Sequence, residues 1–123
     1  MSKNLELDPT GLNQHQPGAK LDAGKPRCGL VLGDFHSALL EVSKVGTYGA
    51  DKYTESGWKD VPNGISRYED AMLRHWLEYK DGNFVDEETG LLHLAQMCWN
   101  GLAMLQLHFK TDESYEGTEC QQS

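Results

Sequence analysis

Apolar residues recur at three- and four-residue steps in three stretches of the chain, the spacing that puts them on one side of a helix. Phe35, Leu39, Val42, Val45 and Gly49 mark the first, which predicts a helix from about Gly33 to Tyr53 with Asp34 as its N-cap. Gly46 and Gly49 weaken that helix by up to about 1 kcal/mol each, so close packing or a kink is expected there. Ile65, Tyr68, Met72, Trp76 and Tyr79 mark a second helix from Ile65 to Lys80, with Gly82 as its C′ residue. Leu91, Leu94, Ala95, Cys98, Leu102, Leu105 and Phe109 mark a third from Glu87 to Lys110, capped by Asp86 or Thr89. Between the first two lies a loop, Thr54 to Gly64, punctuated by Gly57 and Pro62; its Trp58 is expected to fold back onto the core.

The fold class that follows is all-α, a bundle of three main helices. No stretch alternates with period two for long, and GLVL at 29–32 is at most one short strand. Three helices enclose a thin core, and the third is apolar over much of its circumference. A second copy of the chain is therefore expected to cover the remainder, as a dimer or tetramer. Residues 1–20, rich in Pro, Gly, Asn and Gln, read as a loose arm, 21–110 as the helical domain and 111–123 as a loose tail.

Charge narrows the function. Nineteen Asp and Glu against eleven Lys and Arg give a formal charge of −8, which repels polymeric nucleic acid and leaves no polybasic patch for a membrane. The three cysteines, Cys28, Cys98 and Cys120, are odd in number and form no CxxC. That argues for a reducing compartment, and with no apolar leader at the start a cytoplasmic location is expected. An acidic protein that binds an anion needs a local cation, and a bound metal is one source.

The third helix pattern carries Asp86, His93, Gln96 and Asn100 on one line, and the second carries Arg67, Asp70, Arg74 and Glu78, with His75 beside it. Polar lines on buried faces are costly unless paired. The short connection makes the two helices antiparallel neighbours. Asp70, Asp86, Glu88 and His93 are then expected to converge as ligands for Mg²⁺ or Mn²⁺. The same residues also admit plainer roles. Asp70–Arg74 fits a surface ion pair, Asp86 an N-cap, Glu88 a partner of the helix dipole and His93 a satisfied core residue. Lys25 and Arg27 in a Gly/Pro turn (GKPR) suit an anion or plain solvation, and so do Lys52 and Tyr53. No GxSxG, HExxH or P-loop is present.

The runs GKPR, YGADKY…W, RYEDAMLRHWLEYKDG and DEETGLLHLAQMCWN together resemble the phage dATP/dGTP diphosphohydrolase (MazZ) family, related to the all-α MazG-like nucleoside triphosphate pyrophosphohydrolases. The likeness covers about residues 20–107, and DAMLRH…G…DEETGLLHL…N is its specific part. It implies a helical homo-oligomer that releases pyrophosphate from a purine deoxynucleoside triphosphate with Mg²⁺ or Mn²⁺. By motif it carries Asp70, Arg74 and His75, then Asp86, Glu88, His93 and Asn100, then Lys52, Tyr53 and Trp58 into the site. On that reading Asp70, Asp86, Glu88 and His93 hold metal, and Glu88, Asp70 and His93 serve catalysis. Lys25, Arg27, Lys52, Tyr53, Trp58, Arg74, His75 and Asn100 meet the nucleotide. The alternative is a protein that binds nucleotide or a partner without turnover.

Overall fold

The computed structural model describes residues 4–111, so the predicted tail lies outside the described residues apart from the backbone of its first. The described chain is helical, with α1 (Cys28–Asp34), α2 (His36–Lys52), a single 3₁₀ turn (Gly57–Asp60), α3 (Gly64–Lys80) and α4 (His93–Thr111). Only two isolated bridges, Leu7 to Asn13 and Val85 to Leu92, pair extended backbone among the described residues. The chain divides into two compact units, up to Val31 and from Leu32 onward.

The first unit contains turns gathered on one carboxylate. Asp8 Oδ1 accepts from the amides of Thr10 and Leu12, both at 2.9 Å, and from the Thr10 hydroxyl at 2.8 Å. Its Oδ2 accepts from the Lys20 amide at 3.1 Å. Asp8 is buried as a result. Lys25 and Arg27, which follow these turns, are exposed.

The second unit is built on an antiparallel helix pair, α3 and α4, with α2 added beside α4. α3 and α4 make the larger contact and α2 packs on α4. The α4 side chains Gln96, Asn100, Ala103 and Leu107 are buried at four- and three-residue steps, which is its inner stripe. On α3, Tyr68, Met72, His75 and Tyr79 form the facing seam. Tyr68 meets Trp99 at 5.6 Å between ring centres, and His75 meets His93 at 5.1 Å. Trp58 does fold back: its ring packs edge-on to Tyr68 and Trp99, and its carbonyl accepts from the Tyr68 hydroxyl at 2.7 Å. Close packing is also realised at Gly46, where a Cβ would stand 3.1 Å from Trp99 Nε1, whereas nothing lies within 4 Å of one at Gly49.

Three boundaries depart from expectation. Residues 29–32 are helical, in α1, rather than extended. Asp34 closes α1, and the N-cap of α2 is Phe35, without a side-chain bond. The last helix begins at His93, not Glu87, because residues 84–92 form a hairpin in which Gly90 takes φ +74° and stops helix propagation. One face of the α3–α4 pair stays open as an apolar groove of ≈ 440 Å³ lined by Met72, Leu73, Trp76, Met97, Cys98 and Gly101.

Candidate metal centre

The site is built by the way α3 ends. Gly82, at φ +88°, donates its amide to the Tyr79 carbonyl at 3.0 Å, and Asn83 donates to the Glu78 carbonyl at 2.9 Å. This is the paired C-terminal closure that a left-handed glycine permits. The Asn83 side-chain amide also donates to Glu78 Oε2 at 2.7 Å, and Phe84 packs on Tyr79. The chain is thereby turned back into the hairpin. Asp86 N donates to the Leu91 carbonyl at 2.8 Å, Gly90 N to the Asp86 carbonyl at 2.7 Å and His93 N to the Phe84 carbonyl at 2.9 Å.

That hairpin presents the Asp86 carboxylate to the start of α4. Its Oδ1 accepts from the Glu88 amide at 2.9 Å and its Oδ2 from Gln96 Nε2 at 3.0 Å. The same Gln96 nitrogen donates to Thr89 Oγ1 at 3.2 Å. Asp86 thus does for a turn what was expected of it for a helix: it satisfies a backbone amide two residues on. Partial burial acts to raise its carboxyl, yet the bonds from Glu88 and Gln96, with the nearby imidazoles, outweigh that and hold it below its ordinary value. It is anionic at neutral pH.

Two imidazoles complete the group. His75 Nδ1 lies 2.8 Å from His93 Nδ1, a distance that requires one of the two to donate to the other. His93 is buried and His75 half-buried. Burial first, and then the neighbouring His93, lower the His75 pKa, with Asp86 acting the other way, so neutral imidazole is favoured there. A donor atom from each of His75, Asp86 and His93 lies within 4.8 Å of the others. An ion bound at about 2.1 Å holds its donors about 3–4 Å apart, so closing the set takes side-chain rotation and a free lone pair on each imidazole, the Nδ1 proton shared by His75 and His93 moving to Nε2 or the ring ligating through Nε2. Two imidazoles and one carboxylate are a donor set that fits a divalent metal. The surrounding cleft, ≈ 500 Å³, is lined by those three with Arg74, Glu78, Asn83, Val85 and Glu87.

Of the residues singled out by sequence, the structure therefore brings Asp86, His93, His75 and Arg74 to one cleft. Asp70 and Glu88 are exposed and lie outside the three-residue group. Glu88 Oε1 instead accepts from Lys52 Nζ at 3.3 Å, which ties the end of α2 to the hairpin. Glu88 is the leading cause of the raised Lys52 pKa. Tyr53 is exposed with the Lys52 amine 5.3 Å from its ring centre, and Trp58 belongs to the aromatic cluster. Asn100 is buried and donates to the Gln96 carbonyl at 2.7 Å, not to the cleft. Lys25 and Arg27 belong to the first unit. Gln96, the partner of Asp86, was on the polar line but had no assigned role; its place one turn into an apolar helix was the available signal.

Fold and site define an all-α protein with a histidine–carboxylate centre where the antiparallel pair α3–α4 is closed by a hairpin. Sequence comparison gives the family: the chain matches the family model described as dATP/dGTP diphosphohydrolase, N-terminal, over residues 15–116, and belongs to that family. It is also 38% identical over 78 residues to a protein from Salmonella phage PMBT28 described as a dATP/dGTP diphosphohydrolase. That match takes in 63% of this chain and 25% of the relative, so the chain spans about a quarter of the length of the curated relative it matches. No solved structure matches it. No helix among the described residues is long and apolar enough to cross a membrane.

Proposed function

We propose that this chain hydrolyses purine deoxynucleoside triphosphates, dGTP or dATP, to the monophosphate and pyrophosphate, in the nucleotide metabolism of a phage-infected cytoplasm. The observation that carries this reading is the His75–Asp86–His93 group, set in a cleft with Arg74, in a chain of this family. The triphosphate is strongly anionic and the protein is too, so the charge has to be met locally. His75, Asp86 and His93 would hold a divalent cation, of which Mg²⁺ and Mn²⁺ are the first to test. Such an ion would neutralise phosphate oxygens and lower the pKa of a bound water.

The chain's own groups do the remaining work. Arg74 stands in the cleft lining and offers a planar fork to phosphate oxygens. Glu78 and Glu87 line the same cleft as carboxylates able to accept a proton from water. Gln96 and the Glu88 amide fix the Asp86 carboxylate. His75 takes the place proposed from the sequence for Asp70 and Glu88. A homo-oligomer closing over the apolar groove of Met72, Leu73, Trp76 and Met97 remains part of the proposal, and sedimentation equilibrium tests it.

The purified chain incubated with each of the four deoxynucleoside triphosphates and Mg²⁺ or Mn²⁺ is expected to release pyrophosphate from dGTP or dATP, and to stop when EDTA is added. Tight nucleotide binding without pyrophosphate supports the non-catalytic alternative. Release that persists at full rate in His93→Gln refutes the site.

A further inference from the structure

We infer that the His75–Asp86–His93 group is selective for an ion that favours imidazole nitrogen, of the Co²⁺ or Zn²⁺ class, over Mg²⁺, and that Gln96 is its positioning residue. The inference deepens the functional reading above and rests on it for the site's purpose, though not for the chemistry of its donors.

The donors are two nitrogens and one carboxylate. Mg²⁺ takes oxygen almost exclusively, at near-ideal octahedral geometry, and sheds water reluctantly. Imidazole suits the later first-row metals, whose affinities rise from Mn²⁺ towards Co²⁺ and beyond. An oxygen-only alternative does not form: among the described residues, the group of three close metal-ligating side chains contains two histidines. Of the neighbouring acids, Glu78 and Glu87 line the cleft outside the group and Glu88 is drawn to Lys52. Glu78 accepts from Asn83 at 2.7 Å and Glu88 from Lys52 at 3.3 Å.

The arrangement is also built rather than incidental. His93 is 7% exposed and Gln96 is 7% exposed, so the inner half of the group sits on the packed face of α4. Both Asp86 oxygens already accept one bond each, from the Glu88 amide and from Gln96 Nε2. The plane of the carboxylate is thereby set before any ion arrives. Gln96 reaches Asp86 from three residues beyond His93, so one turn of helix orients two of the three donors. Outer partners of this kind typically change metal affinity by about 10–100-fold when removed.

The full chain, stripped with EDTA and dialysed at pH 7.5, should be titrated calorimetrically with Co²⁺, Zn²⁺, Mn²⁺ and Mg²⁺, with visible absorption followed for Co²⁺. Co²⁺ and Zn²⁺ are expected to bind with near-unit stoichiometry, Mn²⁺ more weakly and Mg²⁺ at least about 100-fold more weakly than Co²⁺. His75→Gln should lose at least about tenfold in Co²⁺ affinity and change the Co²⁺ spectrum, leaving Mg²⁺ binding unaltered. Gln96→Leu should weaken Co²⁺ and shift the same bands, and circular dichroism separates this from unfolding. If the histidine variants do not fold, Gln96→Leu and the metal order on the native chain decide the matter. Mg²⁺ binding as tightly as Co²⁺, or a Co²⁺ spectrum unmoved by a folded Gln96→Leu, overturns the inference. Selective Co²⁺ binding without pyrophosphate release from any nucleotide upholds it and removes the functional reading. Pyrophosphate release with Mg²⁺ alone, unchanged in His75→Gln, overturns the inference and moves the hydrolysis to a site other than this group.

Discussion

The Nδ1 atoms of His75 and His93 stand 2.8 Å apart, although the two residues belong to different helices and are separated by 18 positions. Two imidazoles at that distance cannot both be cationic at low cost, and burial of His75 adds to the bias against charge. His75 is consequently biased towards its neutral form next to an anionic Asp86.

Replacing either member should therefore remove turnover before it removes the fold. His75→Gln and His93→Gln are each expected to lower metal-dependent kcat/KM by more than about 100-fold. Asp86→Asn should do the same. Pyrophosphate assays at matched metal, with thermal melts alongside, check this; a His93→Gln enzyme within a few-fold of the native rate rejects it.

Glu88→Gln is expected to behave differently. Its side chain is exposed and its ion pair to Lys52 spans 3.3 Å at the surface. Exposed pairs are worth about 0–1 kcal/mol, so the melting temperature should barely move and turnover should fall only a few-fold. A loss as large as that of Asp86→Asn would restore Glu88 to the ligand set.

Two glycines of α2 should respond in opposite directions. At Gly49 an added Cβ meets open space, so Gly49→Ala gains about 0.5–1 kcal/mol of helix stability, roughly 4–8 °C in Tm per kcal/mol for a domain of this size. At Gly46 the Cβ would stand 3.1 Å from Trp99 Nε1, and Trp99 is itself held by Trp58 and Tyr68. Gly46→Ala should forfeit that gain, and Gly46→Leu should destabilise by about 1–3 kcal/mol. Calorimetric melts of the three variants rank them.

The Asp8 turn should be sensitive to acid. The Thr10 hydroxyl above all, joined by the amides of Leu12, Lys20 and Thr10, holds the Asp8 carboxyl below its ordinary value against the opposing effect of burial. A carboxyl lowered in the folded turn stabilises it above the unfolded pKa and loses that contribution as pH falls through the folded value. The amide resonances of Thr10, Leu12 and Lys20 are thus expected to move together below the normal carboxylate range, and Asp8→Asn to abolish the transition.

What the sequence made legible was the periodic part. The core of α2 and both ends of α3 follow from apolar spacing and from Gly82, and the packing of Trp58 followed from its isolation in a polar loop. The start of α4 did not, because Asp86, Thr89 and the acids between them satisfy helix-start chemistry and hairpin-turn chemistry equally well. Gly90 decides between these, and its left-handed conformation is a tertiary outcome. His75 is hard to read from the sequence for a related reason. Tyr68, Met72 and Tyr79 define a seam on which His75 falls, but Trp76 beside it is the more apolar residue by type and yet is 42% exposed.

Because the closure at Gly82 and the hairpin that follows join α3 directly to α4, the three donor residues come from one short uninterrupted run of chain. Contacts between near neighbours in sequence form quickly and at small entropic cost. The centre is accordingly a local device, assembled and held by residues 75–96 of the chain.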